Sequence, residues 1–263
     1  MRAIRIAIIL ALVVASVLAF AGQKAESIQK RIASAAALYK AGKYDEATSA
    51  FESLNKENPT NGEVQGWLGF LYLRADKPVE AVKYLELAEK QRPTDVDVLT
   101  NLGNAYLANQ QFDQALLKYR AVMAQSPNMF EPHYNSGTIF LRQRLWQKAL
   151  GEFTAAAKLK PDDAFVQNNL GVSYEALNQQ SKAAVAFKKA ADLRPDNATF
   201  ARNAGLTLGK LGKPEASIYL RRAGNDPEVR LALAVDLQTV ADQTVGSEPV
   251  TPGLTHRAGL DGA

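Results

Sequence analysis

The chain has 263 residues, 47 % of them hydrophobic and 22 % charged, enough to bury a sizeable core in one or two domains. It contains no cysteine, which excludes both a disulfide framework and a cysteine-linked lipid anchor. Of its 31 Lys and Arg, Arg2 and Arg5 fall in a separate N-terminal segment; the remaining 29 face 27 acids, a net charge of +2 that gives no electrostatic hold on a nucleic-acid backbone.

The first element is residues 1–21. Arg2 and Arg5 precede an apolar run from Ile6 to Ala21 broken only by Ser16. A short basic stretch followed by an apolar one is the pattern of a secretory signal, and Ala19-Phe20-Ala21 supplies small residues at both positions of a cleavage site. The run is shorter than the roughly 20 residues that span a bilayer. The expected location is therefore outside the cytoplasm, in a periplasm-like compartment, with residues 1–21 removed. The alternative is an anchor in the cytoplasmic membrane through residues 4–21. Either way, this segment is the one expected point of membrane contact.

Beyond it, one period organises the chain. Alanines stand at Ala47, Ala81, Ala115, Ala149 and Ala183, each 34 residues after the last, and prolines follow twelve residues behind each, at Pro59, Pro93, Pro127, Pro161 and Pro195. Gly69, Gly103, Gly137, Gly171 and Gly205 keep the same interval, with an aromatic three residues later at Tyr72, Tyr106, Phe140 and Tyr174. Small residues where two helices must approach, and large ones where the gap must be filled, spell helix, turn, helix. The unit beginning at Val96 predicts a first helix over roughly 96–109 and a second over roughly 112–125. Gly42, Asn178 and Gly212 are the turn residues suited to positive φ, and the prolines stop each second helix.

This pattern resembles the tetratricopeptide repeat family over about 200 residues, in units near 28–61, 62–95, 96–129, 130–163, 164–197 and 198–225. The first unit departs from it, with Ala35 for the glycine and Leu38 for the aromatic. The sixth has lost a residue near "GKPEA", so that Ala216 and Ala223 arrive early. The resemblance implies an all-α, right-handed solenoid of about six helix-turn-helix repeats filling residues 22–225, and a non-catalytic protein-interaction scaffold. Asp226 as N-cap, Pro227 at the first helical position and the apolar Val229, Leu231, Leu233, Val235 and Leu237 predict a capping helix over 226–243. Residues 244–263, rich in Gly, Pro and Thr, are expected to be disordered.

One polar column runs in register: Asn101, Asn135, Asn169 and Asn203. Each lies two residues before the packing glycine, about 200° around the helix from it, and so is expected to face the inner, concave wall of the stack. With neighbouring helices about 8–10 Å apart, four asparagines would line a length matching about eight residues of extended peptide. An amide can donate to a peptide carbonyl and accept from a peptide N–H at once, and the column looks like the asparagine ladder of the repeats in O-linked N-acetylglucosamine transferases. Trp67, Phe70, Tyr134 and Phe165, together with Leu73, Leu107 and Leu141, are expected on the same wall as apolar anchors. Gly66 is expected to leave room beside Trp67 for an inserted side chain. The competing reading is that the asparagines bond between repeats and the aromatics cover neighbouring helices. The dicarboxylate clamp of chaperone-tail-binding repeats is absent: Asn104 and Asn135 fit it, but Thr100, Phe165 and Asn169 stand at its basic positions.

No residues suggest catalysis. His133 and His256 are the two histidines, and neither has a second ligand at metal-site spacing. The stretch "LGKLGKPEAS" lacks phosphate-loop spacing, and "NAT" at Asn197 fits a glycosylation sequon. Neither cofactor nor metal is expected, and the expected partner is a protein or peptide. The leading expectation is a peptide or partner helix held in the concave groove. The other is an accessory subunit of a cell-envelope complex, in secretion, pilus or outer-membrane biogenesis, docking through the convex face.

Overall fold

The computed structural model describes residues 27–224 and Val229. The expected signal segment 1–21, the capping helix over 226–243 apart from Val229, and the tail 244–263 lie outside the described residues. Among the described residues the chain is all helix and turn: α1 (27–40), α2 (Tyr44–Glu57), α3 (Gly62–Arg74), α4 (Pro78–Gln91), α5 (Val96–Ala108), α6 (Phe112–Gln125), α7 (Phe130–Arg142), α8 (Trp146–Leu159), α9 (Ala164–Ala176), α10 (Gln180–Leu193), α11 (Ala198–Lys210) and α12 (Ala216–Arg222). The expected boundaries of the Val96 unit agree to within a residue.

The same local chemistry opens and closes each hairpin. First helices are capped by an Asn or Asp side chain that accepts a backbone N–H of the first turn: Asn61 from Glu63 and Val64, Asp95 from Val98, Asp163 from Val166, and Asn197 from Phe200. Met129 occupies the equivalent place before α7 and caps nothing with its side chain. Asn197, the sequon residue, thus serves as a helix cap.

Each first helix ends on a residue with left-handed backbone, at Gly42, Asp76, Gln110, Arg144, Asn178 and Gly212, all with φ between 56° and 77°. Sequence pattern picks out three of these six. At the other three the conformation is imposed by paired backbone bonds that close the helix end. At Arg144, for instance, its own N–H reaches the Leu141 carbonyl at 3.0 Å and the Leu145 N–H reaches that of Phe140 at 2.8 Å. The sixth turn explains the lost residue: Ala216 N–H bonds back three residues to Lys213, whereas Ala47, Ala81, Ala115, Ala149 and Ala183 bond back four.

The periodic glycines are sites of close approach. A Cβ on Gly69 would lie 2.3 Å from Leu85 Cγ, on Gly137 2.8 Å from Phe153, on Gly171 2.4 Å from Phe187 and on Gly205 2.7 Å from Leu220. The large residue of each second helix fills the space its glycine leaves.

The helices fall into two compact units, Met1–Ala105 and Tyr106–Ala263. In the first, Ile32, Ala35, Phe51, Leu54, Val64, Leu68 and Leu71 from α1, α2 and α3 form one core, so the first helix of a hairpin packs across the hairpin before it. In the second unit, the core joins Ala183, Phe187 and Ala190 of α10 to Phe200, Ala204 and Leu208 of α11 and Tyr219 of α12. A further cluster of Ala201, Leu206, Leu220 and Ala223 also holds Val229, which is fully buried.

Candidate functional site

In the first unit, the ends of α1 and α3 bring together an aromatic cluster centred on Tyr39. Its ring lies 5.8 Å from Trp67, 5.2 Å from Phe70 and 5.5 Å from Tyr44. Trp67 stacks on the buried Phe51 at 5.1 Å and meets Phe70 edge-on at 6.0 Å. The Arg74 guanidinium sits 3.9 Å over the Tyr44 ring and 5.8 Å from that of Tyr39. Tyr39, Trp67 and Phe70 are half-buried, Tyr44 and Arg74 exposed. A patch whose floor is fixed by core stacking and whose rim is open can receive an apolar side chain at little ordering cost. Trp67 stands one 34-residue step before Asn101, so an indole occupies the position that carries the amides further along.

Trp67 and Phe70 thus lie together as expected. A Cβ placed on Gly66 would meet Val98 at 3.7 Å and Ala88 at 4.0 Å, ordinary van der Waals contact with neighbouring helices. Tyr39, Tyr44 and Arg74 were not expected in the site. The available signal was Tyr39 standing where later units have Leu73, Leu107 and Leu141.

The expected asparagine column behaves differently from a lining. Asn101 is half-buried. In the second unit, Asn135 is 2 % exposed and donates to the Tyr119 hydroxyl at 3.2 Å. Asn169 is 3 % exposed and lies close enough to Tyr134 to influence its hydroxyl, although its Nδ2 closes no hydrogen bond of good geometry. Asn203, half-buried, donates to Asn168 Oδ1 at 2.9 Å. Asn135 and Asn169 are therefore interior polar groups rather than open ones, each set against a tyrosine of the hairpin before it, Tyr119 and Tyr134. Tyr134 is likewise interior: it is 7 % exposed, stacks on Phe130 at 5.6 Å and meets Phe153 edge-on at 5.9 Å. Burial pushes its hydroxyl up to about 12. Leu107 is also buried. Phe165 is open, 41 % exposed, with Phe200 against its edge at 5.3 Å and the Arg194 guanidinium 5.5 Å over its ring.

His133 is placed by the repeat. Its Nδ1 is 2.7 Å from Glu152 Oε2 and its Nε2 3.3 Å from the Pro127 carbonyl. Gln65 and Gln167, two units before and one after, reach the carbonyls of Pro59 and Pro161 in the same way. The histidine thus ties a helix to the proline turn ahead of it.

Comparison with known proteins agrees with this architecture. Three family models, each described as tetratricopeptide repeat, match residues 38–100, 100–164 and 166–197. No curated protein matches the chain. Among solved structures, a MamA structure labelled MSR-1 is 27 % identical, with a TM-score of 0.55 over 63 % of this chain and 92 % of that one. MamA from Desulfovibrio magneticus RS-1 is 22 % identical, with a TM-score of 0.57 over 66 % and 95 %. YrrB, described as a TPR protein with an unusual peptide-binding site, is 21 % identical, with a TM-score of 0.58 over 65 % and 88 %. The 34-residue period, the packing of Gly69, Gly137, Gly171 and Gly205 each against a large side chain of the second helix, and the three matching models lead to one assignment: the chain belongs to the tetratricopeptide repeat family.

Proposed function

We propose that the chain is a non-catalytic protein-interaction scaffold that receives an extended peptide or a partner helix on the aromatic patch of its first unit. The observation that carries this reading is the half-open cluster of Tyr39, Tyr44, Trp67 and Phe70, in which an apolar face is held rigid by Phe51 beneath it. Buried aromatic anchors with open rims contribute most of the energy at protein interfaces. Asn101, in the same unit, is a secondary contact on this reading, while Asn135, Asn169 and Tyr134 hold hairpins of the second unit together. The description of YrrB as having a peptide-binding site adds support from a protein of the same fold. A peptide array probed with the full chain tests the reading. Trp67→Ala and Phe70→Ala should each weaken the hits by roughly tenfold or more, with thermal melts showing that both variants remain folded. Hits that survive both changes at full strength would remove the patch from the site.

A second reading, an accessory subunit of a cell-envelope complex, is favoured by apolar side chains on the second helices: Val79 of α4 is 64 % exposed, Leu117 of α6 61 % and Val185 of α10 71 %. Substituting Leu117 and Val185 by Lys should release such a partner while leaving peptide binding intact. Both readings place the protein outside the cytoplasm through residues 1–21. Cell fractionation with N-terminal sequencing checks this: a mature chain starting after Ala21 supports removal of the segment, and an intact N-terminus in the membrane fraction supports an anchor.

A further inference from the structure

Several cations of this protein are answered by a carboxylate. Arg31 pairs with Glu57, Lys43 with Glu46, Arg92 with Asp95, Lys189 with Asp162 and Lys210 with Glu175. Arg74 is different. It ends α3 beside the aromatic patch, it is exposed, and no carboxylate among the described residues lies within ion-pair distance of its guanidinium. Its contacts are instead the faces of Tyr44 at 3.9 Å and Tyr39 at 5.8 Å. A guanidinium held against a ring face keeps its N–H groups for a polar partner, and those of Arg74 make no hydrogen bond among the described residues. Such a group can receive a carboxylate through two parallel hydrogen bonds.

From the position of Arg74 we infer that the patch selects peptides that place a carboxylate close after an apolar side chain. The inference rests on the reading of the Trp67 face as the docking site, and it names the chemistry of the occupant. The spacing follows from the cluster. Tyr39 is the shared neighbour of Trp67, Phe70 and Arg74, each within 5.8 Å of its ring, so the aromatic floor and the guanidinium lie close together. Residues two apart on an extended strand point the same way and lie about 6.6–7 Å apart. An apolar residue at one position therefore reaches the Trp67–Phe70 floor while an Asp, a Glu or a terminal carboxylate two positions later reaches Arg74. The charge supplies selectivity and the rings supply most of the affinity.

The test uses the full chain and paired synthetic nonapeptides, acetylated and amidated, with a central Leu followed two residues later by Asp or by Asn. Binding is read by fluorescence anisotropy at about 50 and 300 mM salt. Wild type is expected to bind the Asp peptide roughly three- to tenfold more tightly than the Asn peptide at low salt, with the ratio shrinking at high salt. Arg74→Gln should bring the two peptides level, whatever its effect on the affinity they share. Equal affinities in wild type, with both lost in Trp67→Ala, would overturn the carboxylate preference and leave the docking face standing. Binding of neither peptide, or binding indifferent to Trp67, would overturn both. Trp67-dependent self-association in sedimentation velocity would assign the face to a second copy of this chain and overturn the peptide inference.

Discussion

Two residues carry costs that can be removed. Gln110 and Arg144 hold left-handed backbone at φ 59° and 58° with a full side chain, a conformation that costs an L-residue about 1–2 kcal/mol and glycine almost nothing. Glycine gives back part of this through the freedom of its unfolded chain, so Arg144→Gly is expected to raise stability by about 0.5–1 kcal/mol, read as a higher urea midpoint with an unchanged slope. Met129 is a missing cap. Met129→Asp places a carboxylate where Asp95 and Asp163 already work and should add about 1 kcal/mol in the same measurement. Asn135→Ala goes the other way. It removes a buried donor to Tyr119, whose hydroxyl is held protonated far above the usual tyrosine range by complete burial. The expected loss is about 1–2 kcal/mol of stability, with no change in peptide affinity once folded.

At the scale of helices, the glycine contacts make the sharpest prediction. Gly171→Ala would set a methyl 2.4 Å from Phe187 Cδ1 and 2.7 Å from its Cγ, against the stiff root of the ring, so α9 and α10 must separate. Overpacking of this kind costs about 1–3 kcal/mol, and pairing the change with Phe187→Leu should recover part of it. Such contacts were legible in the sequence because each is written twice, once in the small residue and once in the large one that follows it on the second helix. The turns were half legible: Gly42, Asn178 and Gly212 advertise their backbone, whereas Asp76, Gln110 and Arg144 take it from the hydrogen bonds that close the helix end. The amide column was legible in register but not in environment. A rotation of 200° from the glycine separates the partner helix from the opposite side, yet it does not say whether a neighbouring hairpin covers that side, and Asn135 and Asn169 are both buried. Tyr39 and Arg74 were missed because their meeting depends on α1 and α3 lying side by side, which no periodicity within one helix records.

For the whole chain, buried tyrosines set the alkaline limit. Tyr134 is raised from about 10 when unfolded to about 12 when folded, so the native state holds its proton longer than the unfolded one does. Stability is therefore unaffected below pH 10 and falls as pH climbs from 10 through 12, by roughly 2–3 kcal/mol for this group. Tyr119, shifted in the same direction, steepens the decline. Urea melts at pH 8, 10 and 11 should show it, and Tyr134→Phe should flatten the slope; an equally steep slope in that variant would point to other groups. The left-handed turns bear on the molecule's history. Since main-chain bonds alone hold each corner, the side chain there carries no folding duty, and Gly, Asp, Gln, Arg and Asn have all been accepted at one and the same bend. Copies of an ancestral hairpin could thus diverge in charge and chemistry at their tips without relearning how to fold, which makes those tips natural places to graft a label or a new recognition loop.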